Sequence, residues 1–429
     1  MTAYKQTELG LIPSDWEVVA LGDICSIKTG GTPSTNEISF WNGDINWCTP
    51  TDITSLNNKY LSRTNKKISE LGLQNSAAEL LPIGTILMTS RATIGECAIT
   101  SELMTTNQGF KNFICGTKIN NEFLYYLLIS KKSNFISLCS GSTFLEISTT
   151  QIRKFEVFIP PKPEQTAIAT ALSDTDALLA ELEKLLAKKQ AIKTATMQQL
   201  LTGKTRLPEF AHRADGTPKG SLKTEWGDIP EDWEVVALGD VGYFQAGVGF
   251  PLTIQGKKSG KYPFFKVSDL NNIGNETYLQ ASNNYINEQD KELISAKTIP
   301  INSIVFAKIG AAVFLERKRI NNQESLIDNN MMAYIPNHKF LYKFAYYCFL
   351  RMKLSLLVEV TALPSLSSTE LGKTKIFIPK SITEQTAIAQ ILGDMDSEIT
   401  ALQARIEKLR EIKQGMMQNL LTGKIRLLF

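Results

Sequence analysis

Apolar residues recur along two stretches of this chain with the spacing of a left-handed coiled coil. In the later stretch Ile388, Leu392, Met395, Ile399, Leu402, Ile406, Leu409, Lys413, Met416 and Leu420 follow at alternating steps of four and three. That is the a/d seam that keeps one helix face against a partner helix, and only Lys413 breaks it. The earlier stretch places Ile168, Leu172, Thr175, Leu179, Leu182, Leu186, Lys189, Lys193, Thr196 and Leu200 equivalently, with Lys193 standing where Lys413 stands and Leu178, Leu185 and Ile192 widening the stripe. Pro163 suits a first helical turn, Ser381 and Glu384 have the spacing of a capping box, and Gly203 and Gly423 supply the left-handed residue that commonly ends a helix. A helix over residues 165–201 would be roughly 55 Å long at ~1.5 Å per residue. Such amphipathic rods are marginal alone, so the two are expected to bury their seams on each other, antiparallel if a two-fold-like rotation relates them.

Elsewhere the pattern predicts short elements. Apolar runs at residues 83–88 and 157–159, bounded by Pro82 and Pro160, read as buried strands, as do 304–306 and 376–378 beside Pro300 and Pro379. Short helices are expected around residues 121–130 and 339–350.

These elements occur twice because the sequence does. DWEVVALGD at residues 15–23 returns at 232–240, EQTAIA at 164–169 returns at 384–389, and MQQLLTGKTRL at 197–207 returns as MQNLLTGKIRL at 417–427. The 217-residue offset of the DWEVVALGD pair (232 − 15) also sets Asp52 opposite Asp269, and TIG at residues 93–95 faces KIG at 308–310. The expected fold class is α+β: two tandem mixed α/β heads, 1–160 and 208–380, each followed by a long helix, 161–207 and 381–429, the helices forming an antiparallel coiled coil with pseudo-two-fold symmetry. A duplicated chain of this kind suits a target with two spaced halves, the usual geometry of DNA half-sites.

Composition narrows this little. With 43% hydrophobic and 21% charged residues the chain is ordinary for a globular protein. A net charge of +3 is compatible with a polyanionic partner without arguing for one. Cys25, Cys48, Cys97, Cys115, Cys139 and Cys348 form no C-x-x-C pair, so free thiols in a reducing compartment are expected and a zinc site is not. No apolar export segment or run of about 18 apolar residues is present, and a cytoplasmic location without a membrane association is the expectation.

Reacting groups are scarce. His212 and His338 lie outside the repeated segments and read as solvated loop residues. Gly203-Lys204-Thr205 resembles the end of a phosphate loop, but Gln198 stands where that loop needs its first glycine, and the segment ends a helix instead of opening one. Gly247 and Gly249 lack a third glycine, with Leu252 in its place. No catalytic residue and no metal site is assigned, and the balance favours a binder.

Taken together, the paired openings IPSDWEVVALGDI and IPEDWEVVALGDV, the segments KTGGTPSTNEISFWNGDINWCTPTDI, TILMTSRATIGECAI and TTNQGFKNF, and the closing FIPPKPEQTAIA and FIPKSITEQTAIA resemble the specificity subunit of type I restriction-modification enzymes over nearly the whole chain. The resemblance implies that each head is a target recognition domain reading half of a split, asymmetric DNA site. It implies that the helices are spacers and that the chain is not itself an enzyme. Methyltransferase subunits, two of them, and translocase/nuclease subunits would be its partners, carrying S-adenosylmethionine, ATP and magnesium that this chain does not bind. The second half departs from the pattern, with NNQES at residues 321–325 where TTNQGF is expected.

Readout requires donors and acceptors on loops that reach base edges. Candidates in the first half are Lys28, Thr29, Gly30, Gly31, Thr32, Ser34, Thr49, Thr51, Ser90, Arg91, Asn107, Gln108, Lys111, Ser142 and Thr143. Those in the second are Gln245, Lys257, Lys258, Lys261, Lys266, Ser268, Lys308, Ser365, Ser367 and Ser368, where the lysines suit phosphate contact. Asp52 and Asp269 could accept from cytosine or cap a helix, capping being preferred, and Trp16 and Trp233 are expected to pack. The rival readings are a coiled-coil scaffold without DNA readout and a standalone DNA-modifying enzyme with a dispersed site.

Overall fold

The computed structural model describes residues 3–8, 10–139, 145–358 and 364–427. It divides into two compact units, Met1–Lys184 with Gln403–Phe429, and Leu185–Leu402. The cuts fall inside the two long helices, Lys162–Leu200 and Ile382–Leu420, of 39 residues each.

Both units repeat one strand plan. The first has a five-stranded sheet in the order Cys25–Thr29, Phe110–Cys115, Ile86–Thr89, Cys97–Thr100, Tyr60–Leu61, and a three-stranded sheet in the order Met104–Thr106, Trp41–Cys48, Lys66–Ile68. The second matches it with Gly242–Ala246, Met331–Pro336, Ile304–Ala307, Lys318–Asn321, Tyr278–Leu279 and with Tyr285–Ile286, Tyr262–Phe265, Leu326–Ile327. Two strand pairs complete each unit: Tyr4–Thr7 with Gly10–Pro13 and Glu17–Ala20 with Glu156–Ile159 in the first, Ser221–Thr224 with Gly227–Pro230 and Trp233–Ala237 with Lys375–Pro379 in the second.

Alternation along the central strands explains why they read as unbroken apolar runs. Successive side chains point to opposite sheet faces. Ile86, Met88 and Phe113 pack with Phe123, Leu124 and Leu127 of the helix Asn121–Ser130. Leu87, Ala98 and Phe110 face a second core with Cys48 and Met104. Ile304 and Phe306 against Val305 and Ala307 divide in the same way. The strand expected over residues 83–88 starts only at Ile86: Pro82 begins a turn through Gly84 at φ 85°, and Ile83 is exposed. The helix expected from residue 339 runs Tyr342–Arg351, because the Asn337 side chain takes the Lys339 N–H at 2.9 Å and holds that stretch as a turn.

Within each unit the long helices run antiparallel. In the first, Thr175 meets Met416, Asp176 meets Lys413 at 2.5 Å and Glu183 meets Arg410 at 2.5 Å. In the second, Lys189 meets Glu398 at 2.6 Å and Lys193 meets Asp396. The apolar seam residues are buried or half-buried. Leu178, Leu185 and Ile192 are 38–42% exposed and do not widen the seam, since they occupy the flanking g positions. The two seam lysines are satisfied by matching groups. Lys193 joins Asp396, whose carboxylate also accepts from the Tyr347 hydroxyl at 2.9 Å. Lys413 joins Asp176, which accepts from Tyr126 at 2.7 Å.

The three repeated strings meet in space. Gly203 and Gly423, both at φ 71°, turn the chain after each helix and sit against Pro230 and Trp233, and against Pro13 and Trp16. Beyond them Arg206 clamps Asp232 (2.9 and 3.1 Å) and Glu384 (2.8 and 2.9 Å) with its two forks. Arg426 grips Asp15 and Glu164 in the same way, at 2.5–2.9 Å. Trp16 and Trp233, fully buried, donate to Glu164 at 3.0 Å and Glu384 at 3.3 Å, the packing role expected of them. The capping box is therefore only half formed: Ser381 Oγ accepts the Glu384 N–H at 3.4 Å, but the Glu384 carboxylate turns to Arg206 and Trp233. Gln165 and Gln385 tie each helix start to its own head, accepting from Asn120 and Leu341 at 2.8 Å.

Candidate nucleic-acid interface

At one end of the five-stranded sheet of the first unit, backbone bonds draw distant loops together. Asn107 N–H donates to Cys48 (3.0 Å) and its side chain accepts from Gly109 N–H (2.8 Å), closing a tight turn. Gly31 N–H donates to Thr106 (2.9 Å), Ser90 N–H to Gly109 (2.8 Å) and Ile147 N–H to Ser90 (3.2 Å). The crossing is so close that a Cβ on Gly30 would lie 2.1 Å from the Thr106 carbonyl oxygen. Trp47 Nε1 donates to Gly31 (2.8 Å), Trp41 Nε1 to Ser34 (3.0 Å), and the two rings meet edge to face at 5.0 Å. Two tryptophans thus hold the glycine loop from behind.

On this frame Thr29, Thr32, Ser34, Thr51, Arg91 and Gln108 are exposed, while Lys28, Thr49 and Asn107 are half-buried. Thr32 hydrogen-bonds Gln108, and Lys28 pairs with Glu79 at 2.8 Å. Asp52 caps the short helix Pro50–Thr54, accepting from the Thr49 N–H at 2.8 Å and hydroxyl at 2.7 Å and from Asn65 N–H at 2.9 Å, so the carboxylate is spent internally. Ser90 and Lys111 are buried below the surface. Arg91 pairs with Glu146 at 3.0 Å, and Lys111 lies 3.8 Å from that carboxylate, its pKa pushed down by burial. Ser142 and Thr143 lie outside the described residues.

The second unit builds the same crossing from different side chains. Val248 N–H donates to Ile327 (3.0 Å), Asp328 N–H to Phe265 (3.0 Å), Asn330 N–H to the Asp328 side chain (2.9 Å), Lys308 N–H to Asn330 (2.8 Å) and Leu366 N–H to Lys308 (2.9 Å). A Cβ on Gly247 would fall 1.9 Å from the Asp328 carbonyl oxygen. The counterpart of TTNQGF is therefore LIDNNM at 326–331 and not NNQES. Likewise Lys308-Ile309-Gly310 corresponds to Ser90-Arg91-Ala92 and not to 93–95, with Gly310 and Ala92 both at positive φ (77° and 56°). Divergent loops hide both registers, because the matching element is a set of backbone bonds. Asp328, Asn329 and Asn330 were missed for this reason; Asn329 is exposed at the turn tip as Gln108 is.

The expected second-half residues are dispersed. Lys308 and Ser365 lie at the crossing, and Ser367 caps the helix Ser368–Lys373, accepting from Glu370 N–H at 3.4 Å. Lys257 and Lys261 pair with Asp290 (2.6 Å) and Glu288 (2.5 Å), and Lys266 donates to Gln255 at 3.1 Å. Gln245 donates its amide to the Lys297 and Thr298 carbonyls. Lys258 and Ser268 are exposed, as are His212 and His338. Asp269 accepts from Lys266 N–H at 2.7 Å and from Asn283 at 2.7 Å, again a cap.

The family model described as type I restriction modification DNA specificity domain matches residues 13–194 and 230–413. Across 441 residues the chain is 31% identical to the type I restriction enzyme MjaIX specificity subunit of Methanocaldococcus jannaschii, covering 99% of this chain and 97% of that one. It is 26% identical to the putative MjaX specificity subunit of the same organism, covering 99% and 96%. The S subunit structure of the M. genitalium type I restriction-modification system shares the fold, with a TM-score of 0.54, 15% identity and coverage of 94% and 96%. A chain from a structure of type I R-M complex assembly and conformational transition does so with a TM-score of 0.59, 16% identity and coverage of 96% and 99%. With two matched domains and a relative alike over its full length, the chain belongs to the type I restriction-modification specificity subunits, non-catalytic chains that give such systems their DNA sequence specificity.

Proposed function

We propose that residues 1–160 and 208–380 are two target recognition domains that read the two halves of an asymmetric, bipartite site on double-stranded DNA, with 161–207 and 381–429 as spacers. The observation that carries this reading is one backbone crossing built twice with different side chains around it: Arg91, Asn107 and Gln108 in one unit, Ile309, Asp328 and Asn329 in the other. Exposed hydroxyls, amides and Arg91 would reach base edges and phosphates, while Ser90 and Lys111 act from beneath by holding the loops. Two methyltransferase subunits and translocase/nuclease subunits would assemble on the chain in the cytoplasm, and S-adenosylmethionine, ATP and magnesium would be bound by them. Replacing residues 1–160 by the corresponding head of another family member and mapping methylated adenines genome-wide tests this. One half of the modified site is expected to change and the other to persist; a change in both halves overturns independent reading.

A further inference from the structure

All six cysteines are free thiols, and two of them face each other. Cys25 opens the strand Cys25–Thr29, Cys115 closes Phe110–Cys115, and the register sets them directly opposite. Gly116 N–H donates to Ile24 (2.9 Å) and Cys25 N–H to Leu21, so the cysteines occupy a non-hydrogen-bonded pair, where opposed side chains stand closest. Cβ atoms in such pairs lie about 4.5–5.5 Å apart, close to the ~3.5–4.5 Å of a disulfide.

Access is one-sided. Cys25 is buried, whereas Cys115 is half-buried and lines a pocket of about 300 Å³ with Gly116, Asn120, Asn121 and Lys162. The facing Cys25 thiol, aided by the charge of Lys162, lowers the Cys115 pKa, and the facing Cys115 raises that of Cys25. Burial raises the thiols of Cys48, Cys97, Cys139 and Cys348. Thiolate character governs attack on disulfides.

We propose that Cys25 and Cys115 form a dithiol site that closes to a reversible cross-strand disulfide on reaction with a low-molecular-weight disulfide. The Cys115 thiolate attacks one sulfur of the reagent, whose S–S bond breaks and whose other half leaves as a thiolate. Cys25 then loses its proton, attacks the Cys115 sulfur and expels the second half. Two protein thiols are oxidised to one disulfide while the reagent is reduced to two thiols. In the second unit Gly242 stands opposite Pro336, so the site belongs to the first unit alone. It ties together, at their far ends, the two strands that run to Gly30 and from Asn107–Gly109. This chemistry is independent of the DNA-reading proposal.

The full chain is treated with hydroxyethyl disulfide and mapped by non-reducing peptide mass spectrometry. The unaltered protein is expected to yield a Cys25–Cys115 linked peptide that dithiothreitol removes. Cys25→Ser is expected to stop at a mercaptoethanol adduct on Cys115, and Cys115→Ser to leave Cys25 unmodified. A lasting adduct on Cys115 of the unaltered protein, or Cys25→Ser unreacted at Cys115 while folded, overturns the proposal.

Discussion

Arg206 and Arg426 each join three repeated strings through one guanidinium. Glu384 is 2% exposed in its side chain, and burial raises its pKa against the pull of Arg206. Removing the cation leaves that carboxylate buried and unpaired, so Arg206→Ala is expected to lower unfolding free energy by about 3 kcal/mol, read by urea denaturation. Arg206→Lys keeps the charge but cannot grip both carboxylates bidentately, and should recover only part of the loss. Asp15 is half exposed, and its hydrogen bond with Arg426 holds its pKa below 3.8. A depressed carboxylate stabilises the fold above its unfolded pKa, and this stabilisation is lost as pH falls through the folded value. Asp15→Asn should therefore cost under about 1 kcal/mol at neutral pH and flatten the fall of Tm below pH 3.8; an unchanged acid limb would refute the assignment. Gly30 and Gly247 lack room, not backbone freedom. Gly30→Ala and Gly247→Ala should each cost about 1–3 kcal/mol through overpacking, and methylation mapping is expected to show each impairing recognition of one half-site only.

The long helices were readable as elements because a seam repeats on one face for ten positions, enough for periodicity to outweigh local accident. Their lysines were readable only as interruptions. Tertiary contacts turn Lys193 and Lys413 into members of a lysine, aspartate and tyrosine cluster, where polar seam groups can set register and direction. Lys193→Asp is expected to destabilise the chain, and Lys193→Asp with Asp396→Lys to restore part of the loss, with a coupling of about 0.5–3 kcal/mol. Additive effects would show that the pair carries no register information. The strand at Ile86 and the helix at Tyr342 began later than their apolar runs suggested, because Pro82 and the Asn337 side chain divert the backbone before either element can start. Glu384 had the right spacing for a cap, yet a carboxylate that can reach a half-buried guanidinium gains more there than from one N–H.

At the scale of the whole molecule the duplication determines what can be tested. Under the proposed reading, one heptad inserted into both long helices lengthens each by about 10 Å. It should then widen the recognised gap by about three base pairs at ~3.4 Å each; an unaltered gap in the methylation map would sink the spacer role. Repeats, helix period and the capping glycines were all present in the linear order of residues, because each depends on neighbours within a turn or on strings that recur intact. Which residues face one another across the loops was not. Asp328 answers to Asn107 and Lys308 to Ser90 through carbonyls and N–H groups that every residue carries, so side-chain identity leaves no trace of the match. The partners of Arg206, Arg426, Lys193 and Lys413, and the facing of Cys25 and Cys115, likewise required the folded chain, since charge and thiol pairs are chosen by proximity that only packing creates.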